Sequence, residues 1–328
     1  MSHTIDMHCD TLMLALFKDG PEADVYDRPD QHLDVKRLVE GGAMAQFFAI
    51  FIPPRGVYAH FNRPAIPEAE YIEGCVKIFH NTLERHSDVL AEAKNADDIE
   101  RNFKDGKVSA VLTMEDGVEV HGMMSNLDKF YDMGIRALTL TWNFENCFGA
   151  PNNKDPFIMN KGLTSFGRDA VKHMQDIGML VDVSHVSDGV FWDVFEIAKV
   201  PFVATHSNCR ALCGHTRNMT DDMIRALHKK GGAMGINFGH EFLDATEGSL
   251  DSRINDMVAM ALHEKEIAGV DVIAIGTDFD GIGGNLEVNG PDKMHQLFDA
   301  LVKAGFTTAE VDQIAYGNVL RIMKEAVK

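Results

Sequence analysis

The chain is short of several things that would have pointed elsewhere. It has five cysteines (Cys9, Cys75, Cys147, Cys209 and Cys213) in 328 residues. So few, and an odd number, argue against a disulfide-stapled secreted fold and suit a reducing compartment. Basic residues are outnumbered, 31 Lys and Arg against 50 Asp and Glu, for a net charge of −19. A surface that negative repels phosphate backbones and anionic lipid, so neither nucleic acid nor a membrane is an expected partner. No apolar run approaches the roughly 20 residues needed to cross a bilayer. The opening "MSHTIDMHCD" lacks the basic and apolar regions of a signal peptide, and "LRIMKEAVK" is a charged helix end, not an anchor tail. The expectation is a cytoplasmic protein. There is also no Ser/Gly/Pro-rich linker, low-complexity tract or short repeat, so residues 1–328 read as one domain.

What is present is alternation. Short apolar, β-rich runs are separated by longer amphipathic stretches, the pattern of βα units. Eight strands are expected, over Thr4–Cys9, Met44–Ile52, Ser109–Glu115, Ile135–Trp142, Met179–His185, Pro201–His206, Gly232–Phe238 and Val272–Asp278. Runs such as "AQFFAIFI" and "GVDVIAIGTD" are continuously apolar, as a parallel strand covered on both faces must be. Helices are expected at Phe166–Ile177, Asp221–Lys230 and Ser252–Ala268. The fold class is therefore α/β, a (β/α)8 TIM-type barrel, with a doubly wound open sheet as the other possibility. The excess over a minimal barrel falls in Pro53–Lys107, with one or two extra helices, and in the long polar loop Asn143–Leu163. "TTAEVDQIAYGNVLRIM" reads as two short helices on the outside.

The polar residues fall at the ends of those strands. His8 and Asp10 end the first, Glu115 the third, His185 the fifth, His206 the sixth and Asp278 the eighth. In a TIM barrel the C-terminal strand ends form the active-site face, so these six side chains converge on one rim. His8 and Asp10, two apart, face the same way and can serve one ion, while Cys9 points into the packing layer. Imidazole and carboxylate donors without a thiolate set suit Zn²⁺, with Mn²⁺, Co²⁺ or Fe²⁺ as alternatives. Five ligands (His8, Asp10, Glu115, His185, His206) are too many for one catalytic zinc. They suit two divalent ions if Glu115, on a strand between the others, bridges. Two ions about 3.5–4 Å apart can hold a hydroxide between them and polarise a carbonyl. Asp278 is the expected proton shuttle, taking the proton of the attacking water and delivering it to the leaving amine. Asp280 is assigned to a turn or a supporting role. Arg217, just after the sixth strand, can grip a substrate carboxylate. A structural zinc on His206, Cys209, Cys213 and His215 is a rival reading of "HSNCRALCGH". Cys147 has no nearby base, and "GIGG" at Gly281–Gly284 matches no phosphate-binding pattern.

Taken in order, "DMHCDTL", "GGAMAQFFAIFIP", "MEDG", "ALTLTWN", "GMLVDVSH", "ATHSNCRAL", "RNMTDD", "IGTDFDG" and "GNVLRI" resemble the renal, or membrane, dipeptidase family of the amidohydrolase superfamily. The resemblance runs through most of the chain. It implies a barrel with a binuclear, usually zinc, centre: His8 and Asp10 on one ion, His185 and His206 on the other, Glu115 between. It implies that Asp278 moves the proton, that Arg217 binds the substrate carboxylate, and that the substrates are dipeptides, a C-terminal D-residue included. A homodimer is implied as well. Two positions depart from the pattern. Trp142 stands where the family has a substrate-side histidine, which makes it a substrate-binding candidate of altered chemistry. A family tyrosine falls at about Gly239, with His240 as a potential stand-in. Those departures keep two alternatives open: another hydrolase of the superfamily (lactonase, deaminase or amide hydrolase), or a non-catalytic metal-bearing binding protein.

Overall fold

The eight apolar runs form a closed, all-parallel barrel in the computed structural model, which describes residues 3–328. The strands are β1 (Thr4–Asp6), β2 (Ala43–Phe51), β3 (Val108–Glu115), β4 (Ala137–Thr139), β5 (Leu180–Asp182), β6 (Val203–Ala204), β7 (Ala233–Ile236) and β8 (Ile273–Ile275). Each pairs with the next, from Ile5↔Ala45 and Phe51↔Glu115 round to Ile273↔Met234. β8 returns to β1 through Asp6↔Ile275. The open doubly wound sheet is thereby excluded. The closing seam is thin in backbone pairing and reinforced by side chains. Met7 N donates to Ile275 O at 3.0 Å, and Asp6 accepts from Thr277 N at 2.9 Å and from Thr277 Oγ1 at 2.7 Å.

Most strands are shorter than the apolar runs predict, and after β5 and β8 the reason lies at the C-terminal end. His185 and Asp278 have φ of 68° and 62°. A left-handed residue breaks the ladder, so the chain leaves the strand before the polar residue instead of after it. The predicted helices appear as Ser165–Ile177, Asp221–Lys229 and Ile254–Ala268. Thr164 and Thr220 cap the first two by accepting from Gly167 N and Met223 N.

Two segments differ from expectation. Pro53–Lys107 holds three helices, Arg55–His60, Glu68–Arg85 and Ala96–Lys104, and a short strand Leu90–Glu92 paired to the start of β3. Three residues are too few to show a periodicity, while Asn95 as a cap with Asp97 and Asp98 in the first turn was a legible helix start. Instead of two separate helices, the C-terminal segment is one helical run: Thr308–Asp312, a π turn at Gln313–Gly317, and Asn318–Ala326. A Thr307–Glu310 capping box starts it. Its Val319, Ile322 and Met323 join Ile5, Met7, Phe47, Val111, Leu180 and Val203 in one buried cluster, distinct from the larger core between barrel and outer helices.

Candidate metal centre

Beyond the strand ends the predicted side chains meet. His8 Nε2 lies 3.4 Å from Glu115 Oε2, 3.6 Å from Asp10 Oδ2 and 3.9 Å from Asp278 Oδ1. The other oxygen of Glu115 faces elsewhere: Oε1 is 2.9 Å from His185 Nε2 and 3.4 Å from His206 Nε2. Those two imidazole nitrogens are 3.0 Å apart. All six residues are buried. Three sets of donor atoms lie within 4.8 Å of one another: His8, Asp10 and Glu115; Glu115, His185 and His206; and His8, His206 and Asp278.

The electrostatics favour cations here. Asp10, Glu115 and Asp278 crowd one buried spot, and both His8 Nε2 and Asp10 Oδ1 are buried without a hydrogen-bond partner. Burial works against a charged His8, but Glu115 and then Asp10 outweigh it and raise its pKa well above the usual value. Burial likewise opposes a charged Glu115, and His8, His185 and His206 hold it well below the carboxylate range. Burial lowers His185 to about 4, aided by Arg217, and pushes His206 well down, aided by His8 and Arg217. Neutral imidazoles are the ligand form. Burial raises Asp278 to about 8; His8 opposes this, and Asp10 and Glu115 add to it.

Neighbours outside the predicted set hold these side chains. Thr205 Oγ1 donates to Asp182 Oδ2 at 2.6 Å and stands 2.8 Å from His206 Nδ1. Its hydrogen is spent on Asp182, so it accepts from Nδ1–H and leaves Nε2 free toward Glu115. Asp182 also accepts from Thr139 Oγ1 and from the backbone N–H of Thr205 and Ser184. Asn143 Oδ1 lies 3.3 Å from His185 Nδ1, and Asn237 Nδ2 donates to Asp278 Oδ2 at 2.8 Å. Gly281, passed over in "GIGG", proves important. A Cβ there would collide with the Asp10 and Asp278 carboxylates, so only glycine lets the chain pass that closely. Asp280 accepts from Thr11 Oγ1 and His32 N, both at 2.6 Å, tying this turn to the helix after Asp10. Asp182, three residues before His185, and Asp6, two before His8, were visible as acids inside apolar runs.

A cavity of about 520 Å³ opens onto the cluster, with Asp10, Glu115, His185, Asp278 and Trp142 in its wall. Trp142 lies with its ring 6.1 Å from that of His185. Arg217 is buried behind the rim. Its Nη1 donates to Ser207 Oγ and its Nη2 to His206 O, both at 2.9 Å, and its Nε has no partner. The guanidinium sits 5.7 Å over the ring of Phe242, which does line the cavity. Burial lowers its pKa to about 10, with Asp278 and Glu115 opposing. His240 does not stand in for the tyrosine at the Gly239 position: it turns toward Glu241 and lies outside the cavity wall. The Cys/His zinc set does not assemble either. Cys209 Sγ faces Met260 O and Glu264, Cys213 Sγ faces Glu241 O, and His206 belongs to the main cluster. The loop from Asn143 is fastened, not free, because Asn146 donates to Asp116 and Asn152 N to His185 O.

A (β/α)8 barrel with imidazoles and carboxylates gathered at its C-terminal rim defines a metal-dependent hydrolase. The family described as Membrane dipeptidase (Peptidase family M19) matches residues 1–328, and the chain belongs to it. It is accordingly a metal-dependent dipeptidase, a hydrolase of peptide bonds. Among curated relatives, an uncharacterized protein in the pqqA 5' region of Klebsiella pneumoniae is 35% identical over 238 residues, 70% of this chain and 86% of its own. Dipeptidase tcpJ of Claviceps purpurea is 28% identical over 296 residues, 90% of this chain and 69% of its own. A metallo peptidase from Rhodobacter sphaeroides, solved with a phosphinate mimic of L-Ala-D-Ala, superposes with a TM-score of 0.87 at 24% identity, over 99% of both chains. Among the described residues no helix is long and apolar enough to cross a membrane.

Proposed function

We propose that this dipeptidase works with two divalent cations, zinc by the character of its donors, with Glu115 shared between them. The observation that carries the reading is the division of Glu115: Oε2 faces His8 and Oε1 faces His185 and His206. His8 and Asp10 would hold one ion and His185 and His206 the other. Bound there, the ions would supply Lewis acidity toward the scissile carbonyl and acidify a water. The protein's own groups do the rest. Asp278, held by Asn237 and raised toward neutrality by burial, is placed to accept the water's proton and pass it to the leaving amine. To Arg217, set behind Phe242 with its Nε unpaired, we assign the dipeptide's C-terminal carboxylate, which the N–H groups not already given to Ser207 and His206 would bind. Trp142 lines the cavity beside His185 with an indole instead of an imidazole. We further read residues 1–328 as one domain, its first and last strands being neighbours, and assign it to the cytoplasm, where five free cysteines are at home.

The test is metal content and dipeptide hydrolysis by chelator-stripped protein, before and after adding Zn²⁺ or Mn²⁺. Two ions per chain and restored cleavage are the expected result. One ion per chain at full activity would overturn the shared-carboxylate reading.

A further inference from the structure

On the side of the loops after β1, β2 and β4 the cavity wall carries a run of apolar side chains: Met13, Phe51, Val57, Phe61 and Trp142 line it, with Asp10, His60 and Asn143 as the polar members. Phe51 and Trp142 pack with ring centroids 5.0 Å apart, and Trp142 continues to Phe144 at 6.1 Å. Phe61 and Phe144 are 38% and 59% exposed, so apolar surface extends from the buried cluster out to the rim. Arg217 comes from the loop after β6, four strands round the ring of eight from β2, so the Phe51 and Phe61 side faces the proposed carboxylate-binding arginine across the barrel, while Trp142, after β4, stands between.

A dipeptide is short and has two distinguishable ends. With its C-terminal carboxylate at Arg217 and its peptide bond over the cluster, the side chain of its N-terminal residue reaches the wall of Phe51, Phe61 and Trp142. We infer that the enzyme selects dipeptides with a large apolar or aromatic N-terminal residue, and that Trp142 and Phe61 set this preference. This rests on the dipeptidase reading above. Burying a leucine-sized side chain against such a wall favours it over hydrogen by about 10–100-fold in kcat/KM, whereas a charged side chain loses more hydration there than the few polar wall groups restore.

The experiment is a kcat/KM series on Xaa-Ala dipeptides with Xaa as Gly, Ala, Leu, Phe, Glu or Lys, using the metal-loaded enzyme. Leu and Phe should exceed Gly by at least about tenfold, and Glu and Lys should fall below Ala. Trp142→Ala should shrink the Leu-to-Gly ratio. Phe61→Lys, a change at the partly exposed rim, should raise Glu-Ala relative to Leu-Ala. A flat series, or one led by Glu or Lys, overturns the preference while leaving the dipeptidase reading intact. Unaltered ratios in both variants overturn the assignment to these residues. Cleavage of no member of the series overturns the underlying reading, and this inference with it.

Discussion

The hydroxyl of Thr205 lies 2.8 Å from Nδ1 of His206, the residue that follows it, while donating to the buried carboxylate of Asp182. A hydroxyl that donates one way must accept the other way, so the carboxylate sets the tautomer of the imidazole through one intervening oxygen. Thr205→Val keeps the shape and removes the relay. Metal affinity measured by competition with a chromogenic chelator should fall about 10–100-fold, while Thr205→Ser stays within a few fold of the parent. Equal affinities in the parent and the valine variant would show that the relay does nothing for the ligand.

Asp278 is argued to move a proton, not to hold the centre together. Asp278→Asn keeps the size and the contact with Asn237 but cannot accept the proton. Its kcat should drop by about 10²–10⁴-fold with metal stoichiometry unchanged. Loss of an ion alongside the activity would make Asp278 a ligand instead.

Gly281 passes so close to the Asp10 and Asp278 carboxylates that a single added methyl must displace them. Gly281→Ala should lower metal occupancy and activity together, with a thermal shift worth about 1–3 kcal/mol of overpacking. Gly283, which has open space around it, provides the control: Gly283→Ala should do neither.

Glu264 is fully buried, with Cys209 Sγ 3.8 Å from one oxygen and nothing bonded to the other. Burial raises its pKa well above 4.5. The folded state then holds this proton more tightly than the unfolded chain, so stability falls as pH rises from 4.5 toward the folded pKa. Glu264→Met should stabilise the protein by about 1–3 kcal/mol near pH 8, and the gain should shrink as pH approaches 4. Melting temperatures across that pH range decide it; a gain independent of pH would refute the ionisation argument.

The barrel was legible because a strand buried on both faces must be apolar throughout, so "GVDVIAIGTD" and "AQFFAIFI" could hardly be anything else. The donor residues were legible for the complementary reason: an imidazole or carboxylate closing such a run is out of place unless it is used. Harder to see was whatever depends on distance between strands. Nothing local to "VATH" says that Thr205 will meet Asp182, nor does "DFDG" announce that Gly281 must graze a carboxylate 271 positions earlier. Strand ends were misjudged because a left-handed turn at His185 or Asp278 leaves no trace in composition. Phe242 and His240 are two residues apart, and only the helical turn His240–Leu243 decides that the phenyl ring, not the imidazole, faces the cavity.

The seam between β1 and β8 gives the centre a mechanical meaning. His8 and Asp10 follow the first strand and Asp278 follows the last, and the backbone joins those strands by little more than Asp6↔Ile275 and the bridge Cys9↔Phe279. Ions held at His8, Asp10 and the shared Glu115 would tie the chain just after β1 back to β3, so the β1 flank of this thin seam is anchored from its other side. Loading to about a thousand times Kd would add about 4 kcal/mol to stability by linkage. In hydrogen exchange the slowing should concentrate in residues 4–10 and 108–115, the two segments those ions would join.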